Sequence, residues 1–225
     1  MSMKDNIKEK EHFRNMCFYE DEFRRQGYKI IAGIDEAGRG SWAGPVVAGL
    51  VILPEDVFIE GLDDSKKLTA KKREELYEEI IKKALDFSLG ISHVNIIDSR
   101  NILRATYIAM EKAVKSVKLC PDMILIDGRP VSDLGFPQLS IIKGDSKSIS
   151  IAAASIIAKV TRDRYMKELA PFYPGYGFEK HKGYGTGHHR RALQTYGVSA
   201  IHRKSFKPVR DILRKAISNQ QLAFS

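Results

Sequence analysis

Four acids in this 225-residue chain share a local setting. Asp35 and its neighbour Glu36 follow the apolar run in "AGIDEAG", Asp127 closes the one in "ILIDGRP", and Asp145 sits in "IIKGDSKS". Each comes after a strand-like stretch and before a turn containing glycine or serine. Functional side chains in α/β sheets gather at strand ends, so the repetition points to convergence on one site. An acid after a strand is also a common turn former or cap, the ordinary reading of any one of them alone. Four carboxylates in contact repel, and each holds its proton more tightly unless cations neutralise the group. Oxygen-only donors suit hard ions, Mg²⁺ or Mn²⁺. Two such ions roughly 3.5–4 Å apart stabilise the attacking and leaving oxygens of a phosphodiester in an in-line displacement. The chemistry expected is therefore that of a nuclease or a polymerase-like site. Consecutive strand residues face opposite ways. If Asp35 ends its strand and Glu36 begins the loop, the backbone can turn at Ala37 and Gly38 and aim both near one ion.

Charge supports a polyanionic partner. Between Lys180 and Lys215 lie ten Lys/Arg and one acid, Asp211, so this segment carries the whole formal excess of +9. Such localised charge is the footprint of a nucleic-acid binder, although a solvated basic surface has the same composition. The two cysteines, Cys17 and Cys120, form no C-x-x-C pair, which argues against a disulfide framework or a cysteine-rich zinc site. The first residues lack an apolar signal core, and no stretch approaches the roughly 18 apolar residues of a membrane span. The expectation is a cytoplasmic protein without a membrane partner, acting as a monomer.

The elements that must position these acids are readable from periodicity and punctuation. A helix is expected over 6–26, strands over 28–35 and 43–54 with a hairpin between them, and a helix over 68–85 capped by Thr69. A strand at "DFSLGIS", a helix over 98–117, and strands over 122–127 and 138–145 follow. The stretch 148–169 reads as a deeply buried helix, apolar around its first turns. A loop dense in Gly, Pro, Tyr and His comes next, then short basic helices near 188–196 and 207–218. Strands interleaved with helices imply an α/β mixed sheet.

The motifs "GIDEAGRGSWAGPVVAG", "LDDSKKLT", "LIDG", "KGDSKSISIAAASIIAKVTRD" and "YGFEKHKGYGT", followed by "HRKSFKPVR", resemble in order those of ribonuclease HII, the type 2 ribonuclease H family. The resemblance runs from about residue 29 to about 215. It implies an RNase H-like α/β core with a five-stranded mixed sheet flanked by helices and a C-terminal helical extension. The expected division is an N-terminal helical arm at 1–28, a catalytic core at 29–170 and a basic substrate-binding extension at 171–225. It also implies endonucleolytic hydrolysis of the RNA strand in RNA–DNA hybrids, and incision at ribonucleotides embedded in duplex DNA. Water activated by the divalent ion would leave 5′-phosphate and 3′-hydroxyl ends. Asp35, Glu36, Asp127 and Asp145 would be the metal-binding and catalytic acids. Gly38, Arg39 and Gly40 would inspect the ribose 2′-hydroxyl, the one group that separates RNA from DNA locally. Tyr184 matches the tyrosine that stacks on the sugar at the RNA-to-DNA junction. Lys66, Lys67, Lys143, Ser146 and Lys147 are candidate phosphate contacts, and Arg190, Arg191, Arg203, Lys204 and Lys207 would steer the duplex by charge. Arg39, where ribonuclease HIII typically has lysine, and the short segment before the first strand favour HII over that sister type.

Rival readings are weaker. His181, His188, His189 and His202 lack the cysteines and paired spacing of a zinc module. A non-catalytic hybrid-binding protein would use the basic segment but has no need for four acids. Another RNase H-like nuclease would share the acids but not the Gly-Arg-Gly and "KGYGT" features.

Overall fold

The computed structural model of the protein describes residues 3–132 and 134–223. The strands are β1 (Ile31–Ala37), β2 (Val46–Ile52), β3 (Asp86–Ser92), β4 (Met123–Asp127) and β5 (Gln138–Ile141). They form one five-stranded sheet in the order β3-β2-β1-β4-β5. β1 and β2 make the expected antiparallel hairpin, while β4 runs parallel to β1 and β5 parallel to β4. The sheet is therefore mixed. β1 and β2 are buried almost throughout, which is why they read as continuous apolar runs rather than as alternation.

The helices are α1 (Met3–Met16), α2 (Phe18–Arg25), α3 (Ala70–Lys83), α4 (Val94–Ser116), α5 (Ile149–Leu169), α6 (Phe178–His181), α7 (Gly187–Tyr196) and α8 (Lys207–Ala223). Where one helix is expected over 6–26 there are two, broken at Cys17. Thr69 caps α3 as its sequence suggests, its hydroxyl accepting the Lys72 amide at 3.2 Å, and Leu76 and Ile80 are buried on the inner face. α4 starts at Val94, earlier than expected, and is kinked at Asn101, which adopts φ 63° and ψ 165°. The Asn101 side chain accepts the Arg104 amide at 3.1 Å, so it caps the second half of the helix. No helix among the described residues is long and apolar enough to cross a membrane.

The chain forms two compact units. The first holds the described residues up to Ala37, then Val47–Ile91 and Tyr107–Val160; the second holds Gly38–Val46, Ser92–Thr106 and the described residues from Thr161 onward. The units interleave in sequence, because loops between strands pack with distant segments. The first unit contains the sheet. Its core joins Val51, Leu53, Leu76, Ile80, Ile156 and Ile157. The second is built on Ala43, Met166, Tyr176, Phe178, Leu193 and Val209.

Close backbone approach sets the position of α5 on the sheet. A Cβ at Gly33 would lie 2.1 Å from the Ser150 carbonyl carbon and 2.3 Å from the Ile151 nitrogen. Glycine is needed here for space. Neither atom belongs to a side chain that could swing away, so the first turn of α5 lies directly on β1. Gly33→Ala is expected to destabilise the protein by ~2–3 kcal/mol through overpacking. Urea unfolding would show it as a lower midpoint at unchanged slope; an unchanged midpoint would contradict the packing.

Candidate active site

The parallel register Ile34↔Ile126 brings the next residues on each strand, Asp35 and Asp127, level at the same end of the sheet. Asp35 is 4% exposed. Asp145 reaches them differently. β5 stops at Ile141, and Asp145 sits in a 3₁₀ turn, Gly144–Ser146, entered through Lys143 at φ 57°. The strand expected over 138–145 is thus shorter, because the chain must turn to start α5. The Gly144 amide donates to Asp127 Oδ1 at 2.7 Å, tying that turn to β4. One carboxylate oxygen each of Asp35, Asp127 and Asp145 lies within 4.8 Å of the others, a grouping unique among the described residues.

Glu36 departs from the sequence expectation. It lies inside β1 opposite Ala48, and Ala37 closes the strand. It is not among the three acids whose oxygens lie within 4.8 Å of one another. Its backbone amide donates to Asp35 Oδ1 at 2.7 Å, and its charge still acts on Asp35.

Burial, followed by the charges of Glu36, Asp127 and Asp145, raises the Asp35 carboxyl well above the usual carboxylate range. Burial also raises Asp127, against the lowering effect of the Gly144 amide. The Lys66 ammonium bonds Asp145 Oδ2 at 2.5 Å. Burial pulls that ammonium down, but the bond to Asp145 and the surrounding acids raise it overall. Three converging oxygen donors, two of them holding protons tightly, have the character of a hard divalent cation site. Asp35, Asp127 and Asp145 fit such an ion.

The other expected contacts are dispersed. Lys67 is exposed and pairs with Asp63 at 2.9 Å. Lys143, Lys147, Arg191, Lys204 and Lys207 are exposed, and Ser146 donates to the Lys143 carbonyl at 3.0 Å. In the second unit Arg39 and Gly40 are exposed, while Gly38 is buried at φ 96°. Tyr184 is half-buried, with the Arg162 guanidinium 5.3 Å from its ring centroid, and Arg190 lies 5.5 Å from the ring centroid of Trp42.

Arg203 is a correction. Expected to steer a duplex, it is 0% exposed, and its guanidinium donates to the carbonyls of Gly44, Arg39 and Pro45 at 2.9, 2.8 and 3.1 Å. Arg162, which motif reading assigned no role, is equally buried and donates to Pro45 and Ala43. A Cβ at Gly38 would lie 2.0 Å from Arg162 Nε. The two guanidiniums therefore brace the loop that carries Gly38, Arg39 and Gly40. Burial and mutual repulsion lower Arg203 to about 9. An arginine inside a helix gives no sign from sequence that it points inward.

His189 and His202 are buried and bonded Nε2 to Nε2 at 2.9 Å. His189 Nδ1 lies 3.0 Å from the Tyr184 carbonyl, and the Ser199 amide donates to His202 Nδ1 at 3.0 Å. These partners assign the tautomers: His189 donates from Nδ1, and His202 donates from Nε2. Both rings are neutral, burial lowering them to about 4 and about 3. They support the Tyr184 segment by hydrogen bonding.

A sequence model of the family described as Ribonuclease HII matches residues 32–209. A ribonuclease HII of Acetivibrio thermocellus is 57% identical over 199 residues, covering 88% of this chain and 78% of that protein. One of Bacillus cytotoxicus is 54% identical over 209 residues, covering 93% and 80%. The crystal structure of the ribonuclease H2 from Pyrococcus horikoshii OT3 aligns with TM-score 0.71 at 29% identity, over 83% of this chain and 98% of that one.

Without a cation, the folded protein holds the Asp35 and Asp127 protons more tightly than the unfolded chain does. Its stability therefore falls as pH rises from the ordinary carboxylate range, about pH 4, through the raised folded values. A divalent ion replaces those protons. Mg²⁺ at tenfold its dissociation constant is expected to raise Tm by roughly 3–6 °C at about pH 8, and much less at about pH 4.5. Equal shifts at both pH values in a thermal melt would contradict the carboxylate assignment.

Proposed function

This chain belongs to the ribonuclease HII family, and we propose that Asp35, Asp127 and Asp145, with Glu36, form the metal-binding and catalytic centre of its nuclease activity. The activity is hydrolysis of the RNA strand of RNA–DNA hybrids by an endonuclease of a divalent-metal-dependent family. The observation that carries the site assignment is the approach of three carboxylates from separate parts of the sheet to within 4.8 Å. Glu36 is included for its place beside Asp35 and its electrostatic effect on it.

A bound divalent ion supplies the positive charge that stabilises a phosphodiester under attack and makes water a stronger nucleophile at neutral pH. The chain's own part is to keep three oxygens converged. Asp35 is held on a rigid central strand, Asp127 is oriented by the Gly144 amide, and Asp145 is presented from a turn with Lys66 as its counter-charge. Asp145 would exchange Lys66 for an ion held there, which would leave the exposed Lys66 side chain available to a phosphate. All-oxygen donors support Mg²⁺ or Mn²⁺ as the physiological ion.

Substrate selection belongs to other residues in this reading. Gly38, Arg39 and Gly40 read the 2′-hydroxyl, and Tyr184 packs on the sugar beside it. Lys66, Lys67, Lys143, Ser146, Arg190 and Arg191 contact phosphates; the exposure of these cations and the net +9 between Lys180 and Lys215 support this. DNA carrying a single ribonucleotide is a substrate alongside continuous hybrids, nicked to leave 5′-phosphate and 3′-hydroxyl ends. The enzyme acts as a cytoplasmic monomer.

Cleavage of a DNA duplex with one ribonucleotide is expected in Mg²⁺ or Mn²⁺, together with cleavage of a continuous hybrid and none of an all-DNA duplex. Asp127→Asn should lose at least about a hundredfold in rate, more than is typical for groups one shell out from a metal. Equal cutting of the all-DNA control would overturn ribonucleotide recognition. Binding of every duplex without cutting, by folded protein with either ion, would favour a hybrid-binding protein.

A further inference from the structure

The helical arm before β1 lies outside residues 32–209, the span that the family's sequence model matches, yet it delivers a carboxylate to the interior. Glu20, in the first turn of α2, is 0% exposed. Its Oε1 accepts the Ser148 hydroxyl at 2.6 Å and the Ser150 amide at 3.0 Å. Its Oε2 is buried with no partner among the described residues. Burying a carboxylate is costly. Ser148 Oγ already accepts the Ile151 amide at 3.2 Å as an ordinary cap of α5, and Glu20 adds a charged acceptor for the Ser150 amide beside it.

The bonds onward from Ser148 lead to the three clustered acids. The Ser148 amide donates to the Gly144 carbonyl at 2.9 Å, and the Gly144 amide donates to Asp127 Oδ1 at 2.7 Å. Asp145 lies inside this loop of bonds. A Cβ at Gly144 would lie 2.6 Å from Ile151 Cδ1, so the turn also rests directly on the first turn of α5. The α5 N-terminus itself lies on β1 at Gly33. Negative charge at that terminus is favourable, because unsatisfied amides and the helix dipole point at it. Every member of this chain of contacts belongs to the first unit.

We propose that Glu20 is a positioning residue of the carboxylate centre: from α2 it clamps Ser148 and Ser150, and through Gly144 it sets where Asp127 and Asp145 stand. The inference rests on the reading that these acids hold the divalent ion. Glu20 touches neither ion nor substrate. Its loss should therefore loosen ion binding and slow turnover while leaving substrate affinity alone.

The experiment compares the full chain with Glu20→Ala, Glu20→Gln and Ser148→Ala. Its readouts are Mn²⁺ titration calorimetry on the free protein, amide hydrogen exchange, and kcat and KM on the single-ribonucleotide duplex. Glu20→Ala is expected to weaken Mn²⁺ binding and lower kcat by about 10- to 100-fold, the range for groups that orient metal ligands, with KM within about twofold. Exchange should quicken at residues 144–151 and stay unchanged in β1 and β2. Glu20→Gln, which keeps an acceptor oxygen at the same reach, should recover most of the loss. Ser148→Ala should reproduce the defect, and the double variant should be no worse than the poorer single one. Ser148→Ala carries the test if Glu20→Ala does not fold. Folded variants with unchanged Mn²⁺ affinity and kcat would overturn the proposal, as would a fall in stability with rising KM and exchange quickened throughout the unit. Failure of the unmodified protein to bind Mn²⁺ would overturn the metal-site reading itself, and the proposal with it.

Discussion

Bringing one oxygen each from Asp35, Asp127 and Asp145 to within 4.8 Å sets like charges against one another where water is largely shut out. Left free, such groups would move apart or keep their protons. The first unit is arranged so that they cannot move apart. Asp35 and Asp127 are level because β1 and β4 run parallel in a register made by buried apolar pairs. Shifting that register by one residue would turn a whole strand inside out. Asp145 is placed by α5, which Gly33 lets down onto the backbone of β1. Repulsion that the fold resists leaves three converged oxygens whose donor chemistry suits a hard divalent ion.

Compensation inside the protein is partial. Lys66 pairs with Asp145, but it is an exposed side chain on a flexible stem and can leave. Among the described residues no ammonium is bonded to Asp35, whose Oδ1 accepts the Glu36 amide. Glu20 adds a further carboxylate to the interior, satisfied at one oxygen by two donors at the start of α5. The acids are thus held by backbone amides and hydroxyls, which orient a carboxylate without neutralising it.

The second unit solves the opposite problem. Arg162 and Arg203 bury two positive charges and bond them to main-chain carbonyls of Arg39, Ala43, Gly44 and Pro45, although Arg162 Nη1 has no hydrogen-bond partner among the described residues. Carbonyl acceptors leave the positive charge in place, so the loop following β1 is held from within by two cations. The His189–His202 pair supports the Tyr184 segment as a neutral relay, which adds no charge and hence no repulsion toward the arginines. Expected as surface charge, Arg203 proves to be internal scaffolding.

From the sequence alone one could read the strands β1 to β4 to within a few residues, the buried α5, the Thr69 cap, the family motifs and all four acids. Apolar runs, caps and glycine spacing are local, and local chemistry is written in local sequence. The break at Cys17, the Asn101 kink and the early end of β5 were not readable, because each answers to packing or to a turn that distant residues impose. The same holds at the site. Residue type marks Asp35, Glu36, Asp127 and Asp145 as candidates, but strand register and the turn after β5 decide that oxygens of Asp35, Asp127 and Asp145 meet within 4.8 Å. Glu20, Arg162 and Arg203 carry charges that read as solvent-facing in any linear view. Only the tertiary structure, by closing contacts across 128 residues for Glu20 and 164 for Arg203, decided that they are buried and what they hold in place.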